Sequence, residues 1–254
     1  MPTTLTDVPL PGRVVAYAKL PCVICPGRST NFCRPLEEQL QAELFHTVAR
    51  QRWEPREFLF RRGDPAGPLF KITEGIASVS HSLPDGRRQI LRFLLPGDVC
   101  GYLEENGRYS FDGQAVSEVI TCSFPRKDFQ HFEKHNNAFA EAVRTELSDV
   151  LAEVSLHVTA VGNLTAVQRL AVFLVAIGKL FQARGMQSLP LKLPMTRTDI
   201  AEYLGMRPET LSRRFTAIER RGFIAINGEQ VSVTNLEGLK ALGERHLGGG
   251  ALRE

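Results

Sequence analysis

The turn chemistry between residues 196 and 233 constrains the fold of this chain more than any other feature. Thr196 can cap a helix, Gly205 breaks that helix, and Pro208 stands where the first turn of a second helix accepts proline. The Asn227–Gly228 pair then separates two alternating runs, which is a strong hairpin signal. Two short helices joined by a tight turn and followed by a hairpin predict a winged helix-turn-helix.

The second predicted helix, Pro208 to Arg221, carries polar side chains around its first turns. Arginine can bind a guanine edge bidentately, glutamate can accept a hydrogen bond from cytosine N4, and serine can contact either kind of base. A solvated helix face is the alternative, because Arg and Glu are common on protein surfaces. We expect a DNA-reading helix, because the turn, the hairpin and the polar face agree with one another. The candidate DNA contacts are Arg207, Glu209, Thr210, Ser212, Arg213 and Arg214.

Short apolar runs separated by Gly and Pro turn signals fill residues 55–124, which predicts an antiparallel jelly roll or a similar barrel. Apolar residues at steps of four predict a helix over 36–53, and a helical pattern returns over 127–181. The expected class is therefore α+β. The predicted parts are a cysteine-rich arm (1–35), a β-roll sensor domain (36–135), a dimerisation helix with a hinge (136–183) and the winged helix-turn-helix domain (184–254).

A heptad seam runs along the predicted dimerisation helix. Its apolar residues are spaced four, three, four and three apart, as in helices that pair with a second copy. A core helix packed inside one subunit is the alternative. The acidic Glu146, Asp149 and Glu153 flank the seam, and their repulsion would make the dimer weak enough for a signal to control. The predicted dimer-interface residues are Leu147, Leu151, Val154, Val158 and Val161.

The chain has five cysteines, and three of them, Cys22, Cys25 and Cys33, fall within twelve residues. An odd number argues against a disulfide framework. The C-x2-C spacing lets two thiolates bind one centre, Cys33 adds a third ligand, and a fourth must come from Cys100 or Cys122. Four thiolates suit either zinc or an iron–sulfur cluster, and the spacing alone does not decide between them.

Composition bounds the remaining function classes. The net charge of +3 permits nucleic-acid binding without arguing for it. No secretory signal and no uninterrupted apolar run of membrane-spanning length is apparent, so we expect a cytoplasmic protein with no membrane partner. No arrangement of nucleophile, base and orienting residue stands out, so we do not expect an enzyme.

The order of cysteine-rich arm, β-roll, long helix and winged helix-turn-helix resembles the CRP/FNR superfamily of bacterial regulators over nearly the whole chain. Residues 209–213 resemble the E-x-x-S-R signature of the FNR branch, in which Glu, Ser and Arg read a TTGAT half-site. Residues 117–125 resemble the stretch that carries the fourth cluster ligand, which favours Cys122 over Cys100 and implies that Cys100 is a packed thiol. Residues 101–112 lack a clear Arg-Ser/Thr pair, so we do not expect cyclic-nucleotide binding.

The resemblance implies an activator that binds double-stranded DNA as a homodimer, at a palindromic operator. It further implies contact with RNA polymerase, for which the loop from His81 to Arg88 and the segment near Arg184 are candidates. The implied cofactor is an oxygen-labile [4Fe-4S] cluster, with Cys22, Cys25, Cys33 and Cys122 as its ligands. A regulator of the same family with a zinc-clamped or metal-free arm, under constitutive or other small-ligand control, is the alternative.

Overall fold

The structure is a computed structural model that describes residues 13–14, 33, 48–186, 190–228 and 230–244. Contacts divide the chain into two compact units, with the boundary between Val150 and Leu151. The first unit is built mainly from antiparallel strands, and the second mainly from helices with one small sheet. The predicted α+β class is therefore confirmed.

The strands of the first unit form two main sheets. Their bounds are β1 (Arg13–Val14), β2 (Ala49–Trp53), β3 (Phe58–Phe60), β4 (Leu69–Glu74), β5 (Ala77–Ser82), β6 (Arg88–Leu94), β7 (Val99–Cys100), β8 (Glu104–Glu105), β9 (Arg108–Tyr109), β10 (Asp112–Ala115) and β11 (Val119–Phe124). One sheet has the order β1-β2-β11-β4-β7 and the other the order β3-β10-β5-β6, with every pairing antiparallel. The predicted roll is confirmed.

Aromatic residues from both sheets and from the separate strand β9 fill the space between the two sheets. The Phe60 ring stacks on Tyr109 at 4.4 Å and on Phe70 at 5.7 Å, and Trp53 meets Phe70 edge-on at 5.8 Å. Each of these rings is at most 5% exposed. Burial of this apolar surface is the main force that holds the two sheets together.

The predicted helix over 36–53 is wrong at its C-terminal end, because Ala49–Trp53 is strand β2. Residues 36–47 lie outside the described residues. Gln51 and Trp53 are both buried, and the Trp53 indole N–H donates to the Thr121 hydroxyl at 3.0 Å. The side-chain period here is therefore two, and packing within the sheet determines the conformation.

Three helices follow the roll: α1 (Arg126–His135), α2 (Asn137–Asn163) and α3 (Ala166–Ala183). The predicted helical region is therefore confirmed. The long helix α2 contains the boundary between the two units. In the first unit its buried residues Phe139 and Val143 belong to an apolar cluster with strands β4, β7 and β11.

The second unit packs α3 against the helices that follow it. The remaining elements are β12 (Leu191–Lys192), α4 (Arg197–Tyr203), α5 (Pro208–Arg220), β13 (Ile224–Asn227), β14 (Gln230–Val233) and α6 (Leu236–Glu244). Among the described residues, α3 is the one helix long and apolar enough to cross a membrane. Its buried Leu170, Leu174 and Ile177, and its contacts with α5 and α6, are those of a core helix.

Candidate nucleic-acid interface and cysteine site

The two helices of the predicted motif begin and turn as the sequence indicates. The Thr196 hydroxyl accepts a hydrogen bond from the Asp199 backbone N–H at 3.1 Å, and the Asp199 carboxylate accepts from the Thr196 N–H at 3.0 Å. This reciprocal pair is a capping box at the start of α4. Gly205 has φ +61°, in the left-handed region that glycine adopts most readily, and Pro208 is the first residue of α5.

Helix α5 has one apolar stripe and one polar face. Leu211, Phe215 and Ile218 are buried against the rest of the second unit. Of the six predicted DNA contacts, Arg207, Glu209, Ser212 and Arg213 are exposed, and Thr210 and Arg214 are half-buried. The structure therefore brings the predicted reading residues to the N-terminal half of one helix, where a major groove could receive them.

The predicted hairpin forms a wing directly after α5. Strands β13 and β14 pair in antiparallel register with Asn227 opposite Gln230, and β12 adds a third strand beside β14. The Glu219 carboxylate of α5 accepts a hydrogen bond from the Ile226 N–H at 2.9 Å. This bond fixes the wing to the helix that precedes it.

Two arginines that the sequence did not single out hold the motif in place. Arg169 of α3 donates through Nη1 to the Leu204 carbonyl at 3.0 Å and through Nε to the Leu164 carbonyl at 2.9 Å. The Arg197 guanidinium lies 3.5 Å from the centre of the Phe215 ring, and burial lowers the pKa of Arg197. In the sequence both residues resemble ordinary surface arginines, and only their tertiary contacts distinguish them.

The predicted seam divides into exposed and half-buried residues. Leu147, Leu151 and Val158 are 41%, 68% and 64% exposed, while Val154 and Val161 are half-buried. A row of exposed large apolar residues on a long helix is typical of a surface that a partner covers. The half-buried Val161 also packs within its own unit, because a Cβ added to Gly205 would lie 3.2 Å from its Cγ1.

The last turns of α2 also contact the first helix of the DNA-reading motif. The imidazole of His157 stacks on the Tyr203 ring, with centroids 4.0 Å apart, and burial lowers the pKa of this histidine. The apolar periodicity of the sequence does not assign His157 to a buried or an exposed face of α2. The contact could not be read from the sequence, because it joins residues of two separate helices.

Glu146, one of the three acids predicted to flank the seam and to repel its counterpart across the interface, is only 6% exposed. Its carboxylate lies close enough to the Tyr102 hydroxyl to contribute to the raised pKa of that group. Glu146 is therefore buried within the first unit, because the helical period turns it away from the exposed Leu147.

Two of the four predicted metal ligands lie in the described part of the chain, and Cys22 and Cys25 lie outside it. Cys33 and Cys122 are both half-buried, and both pack against one apolar cluster. The cluster consists of Leu69, Val99, Phe124, Phe129, Phe139 and Val143. The fold thus places two cysteines that are far apart in the sequence at the border of one apolar cluster. Within the described ranges, no three His, Cys, Asp or Glu side chains are grouped as a metal site.

Two cations flank Cys122 on its sheet. Cys122 pairs in register with Arg50 of β2 on one side and with Lys71 of β4 on the other. Cross-strand partners share one face of a sheet, and nearby cations stabilise a thiolate. Sequence reasoning missed both residues, because strand register is not visible in the chain. Lys71 is only 1% exposed, so it lies within the folded sheet and not on its surface.

Cys100 belongs to a different apolar cluster from the one that Cys33 and Cys122 border. It is 4% exposed and belongs to the aromatic cluster between the two sheets, together with Trp53 and Phe70. Burial strongly raises the pKa of the Cys100 thiol. The interpretation of Cys100 as a packed thiol is confirmed, since a neutral buried thiol is a poor ligand and a poor nucleophile.

Residues 101–112 form the segment that was compared with a nucleotide-binding loop, and two of its charged side chains contact other parts of the first unit. Glu104 forms an ion pair with Arg126 at 3.3 Å, and Arg108 donates to the Gly63 carbonyl at 2.6 Å. Glu104 and Arg108 thus both have structural partners within the first unit.

Two family models match the chain. The cyclic nucleotide-binding domain matches residues 50–136, and the Crp-like helix-turn-helix domain matches residues 168–242. The nitrogen fixation regulation protein FixK of Bradyrhizobium diazoefficiens is 32% identical, over 87% of this chain and 93% of its own length. The anaerobic regulatory protein of Haemophilus influenzae is 26% identical, over 83% of each chain.

Among solved structures, FixK2 from Bradyrhizobium japonicum superimposes with a TM-score of 0.69 and 25% identity. The match covers 81% of this chain and 99% of that one. These proteins are regulators, so the expectation that the chain is not an enzyme is confirmed. The chain has a roll, a long helix and a winged helix-turn-helix, and both domain models and a relative covered over 93% of its length match it. It is therefore a DNA-binding member of the CRP/FNR family of transcription regulators.

Proposed function

We propose that this regulator couples DNA binding to oxygen through an oxygen-labile [4Fe-4S] cluster bound by Cys22, Cys25, Cys33 and Cys122. The observation that carries the proposal is that Cys33 and Cys122 pack against the same apolar cluster of the first unit. The C-x2-C pair of the arm precedes Cys33 closely in the sequence and supplies the remaining two thiols.

The residues fit such a group. Four cysteine thiolates are the usual ligand set of a [4Fe-4S] cluster, and the two described thiols are partly exposed rather than enclosed. Lys71 and Arg50, which is also ion-paired with Glu74 at 3.3 Å, lie on either side of Cys122, where cationic side chains favour a thiolate. When bound, the cluster would supply iron–sulfur bonds that join the arm to β11 and that oxygen can break.

The apolar cluster connects the cysteines to the long helix. Phe139 and Val143 of α2 are fully buried in the cluster that Cys33 and Cys122 border. A change in how the cysteines pack therefore acts on residues one to two turns before Leu147, where the exposed seam begins. A shift of a few kcal/mol in dimer stability would suffice, because each ~1.4 kcal/mol changes an equilibrium constant tenfold.

A dimer would place two copies of α5 on one palindromic operator, with Glu209, Ser212 and Arg213 reading each TTGAT-like half-site. The exposed turn between β5 and β6 is then a candidate contact for RNA polymerase, and such a regulator would act in the cytoplasm. The name of the Haemophilus relative, an anaerobic regulatory protein, supports the oxygen response. The Bradyrhizobium relative is named for the regulation of nitrogen fixation, and its name supports a regulator of the same family that controls different genes.

The alternative is a regulator whose arm holds zinc as a permanent clamp, or no metal, with constitutive or other small-ligand control. Anaerobic purification followed by an absorption spectrum and an iron, sulfide and zinc analysis separates the two. Brown protein that contains iron and sulfide, and that loses its colour and its dimer in air, supports the proposal. Colourless protein with or without zinc, dimeric and bound to DNA with or without oxygen, contradicts it.

The fourth ligand can be tested with a matched pair of cysteine variants. Cys122→Ser should abolish cluster binding, because it removes a ligand. Cys100→Ser should keep the iron and sulfide content, because Cys100 is enclosed in the aromatic core between the sheets. Iron and sulfide analysis of the two variants after anaerobic purification gives the answer, and the opposite pattern would assign the fourth ligand to Cys100.

A further inference from the structure

Tyr102 is a buried hydroxyl group that the proposed function has not used. Its ring packs against the apolar cluster that Cys33 and Cys122 also border, and it meets Phe129 edge-on with centroids 5.8 Å apart. Its hydroxyl oxygen is shielded from solvent, and within the part of the chain that the structure describes it has no hydrogen-bond partner. A buried hydroxyl without a partner is costly, and such groups often mark a position where a ligand completes the structure.

The groups around this hydroxyl are acceptors. Glu146, Cys100, Cys33 and Glu133 are its charged or titratable neighbours. A tyrosine hydroxyl carries its proton at neutral pH and can donate it in a hydrogen bond. Cys100 is a poor acceptor because burial keeps its thiol neutral. Cys33 becomes the strongest sulfur acceptor nearby once it is a thiolate, because hydrogen bonds to charged acceptors are roughly twice as strong as those between neutral groups.

We propose that the Tyr102 hydroxyl donates a hydrogen bond to the sulfur of Cys33 when that cysteine is a metal ligand. The inference rests on the proposed function, since it needs the arm to bind a cluster. Tyr102 is then a positioning residue that orients a ligand and withdraws charge from its sulfur. Groups of this kind typically change metal affinity by about 10–100-fold, and hydrogen bonds to sulfur are among the properties that set the potential of an iron–sulfur cluster.

Tyr102→Phe is the decisive variant, because it keeps the ring against Phe129 and removes only the hydroxyl. Tyr109→Phe is the matched control. Tyr109 is also buried in the roll, but its hydroxyl already donates to the Pro68 carbonyl at 2.6 Å. Both variants and the wild type are purified anaerobically with their clusters. Their reduction potentials, their resistance to a chelator and their Fe–S(Cys) stretching frequencies in H2O and D2O are then compared.

We expect a D2O-sensitive Fe–S(Cys) frequency in the wild type that Tyr102→Phe loses and Tyr109→Phe keeps. Tyr102→Phe should also have a lower reduction potential and should lose its cluster to the chelator roughly tenfold faster. A loaded Tyr102→Phe protein that matches the wild type in all three measurements overturns this inference and leaves the proposed function intact. A change confined to dimerisation would assign the hydroxyl to Glu146 and also overturn it. A wild type without a cluster overturns both proposals.

Discussion

At the scale of single residues, a small number of positions determine whether the DNA-reading motif can form. Gly205 makes the turn between α4 and α5 with a positive φ, and the side chain of Val161 closes over it. Arg169 donates to the Leu204 and Gly205 carbonyls at the same turn, at 3.0 and 3.3 Å. The turn is thus fixed by a backbone conformation, an apolar contact and two hydrogen bonds.

Gly205→Ala should destabilise the second unit by more than Gly222→Ala. Both glycines have φ between +60° and +72°, so alanine costs about 1–2 kcal/mol of backbone strain at either position. Only at Gly205 would the new Cβ also press on Val161, since nothing lies within 4 Å at Gly222. Urea unfolding followed by circular dichroism measures the difference. Adding Val161→Ala should relieve the excess at Gly205, and equal losses at both glycines would show that the Val161 contact is energetically unimportant.

At the scale of elements, α5 and α2 each have one buried face and one exposed face of distinct chemistry. Helix α5 buries Leu211, Phe215 and Ile218 and exposes the polar side chains of its first turns. Helix α2 buries Phe139 and Val143 and exposes the large apolar side chains of its seam. A polar face suits the edges of base pairs, and an apolar face suits a second copy of the same helix.

Arg213→Ala should lower affinity for the specific operator by about 1–3 kcal/mol and relax the preference at one base pair. The physical reason is the loss of a bidentate donor at the exposed front of α5. Arg220→Ala is the control, since Arg220 is exposed at the far end of the same helix. Binding curves on the operator and on single-base variants at constant salt measure both changes. An equal loss on every DNA sequence for Arg213→Ala would indicate a phosphate contact and not a base contact.

Leu151→Ser should raise the dissociation constant of the dimer at least tenfold, about 1.4 kcal/mol, while leaving the monomer folded. A twofold interface loses the leucine from both copies, whereas the 68% exposed side chain stabilises the monomer little. Leu156→Ser is the control, because Leu156 is 55% exposed on a different face of α2. Analytical ultracentrifugation of anaerobic protein measures dimerisation. A larger effect at Leu156 would place the interface on the other face.

At the scale of the whole molecule, features with a local signature were predictable from the sequence. The capping box at Thr196, the proline at the first position of α5 and the Asn227–Gly228 hairpin are set by neighbouring residues, and all three form. Ala49–Trp53 and Glu146 were misread, because their conformation and orientation depend on packing with distant strands. Arg50 and Lys71 escaped notice for a related reason. They become neighbours of Cys122 only through the register of three strands.

The position of Val161, on the predicted seam and beside Gly205, has a consequence for how this family can diverge. The residue occupies a seam position and also closes over Gly205. We therefore expect a substitution at position 205 to require a compensating change at position 161. Lineages that carry a side chain at position 205 should show a smaller residue at position 161, and the two columns of a family alignment should covary.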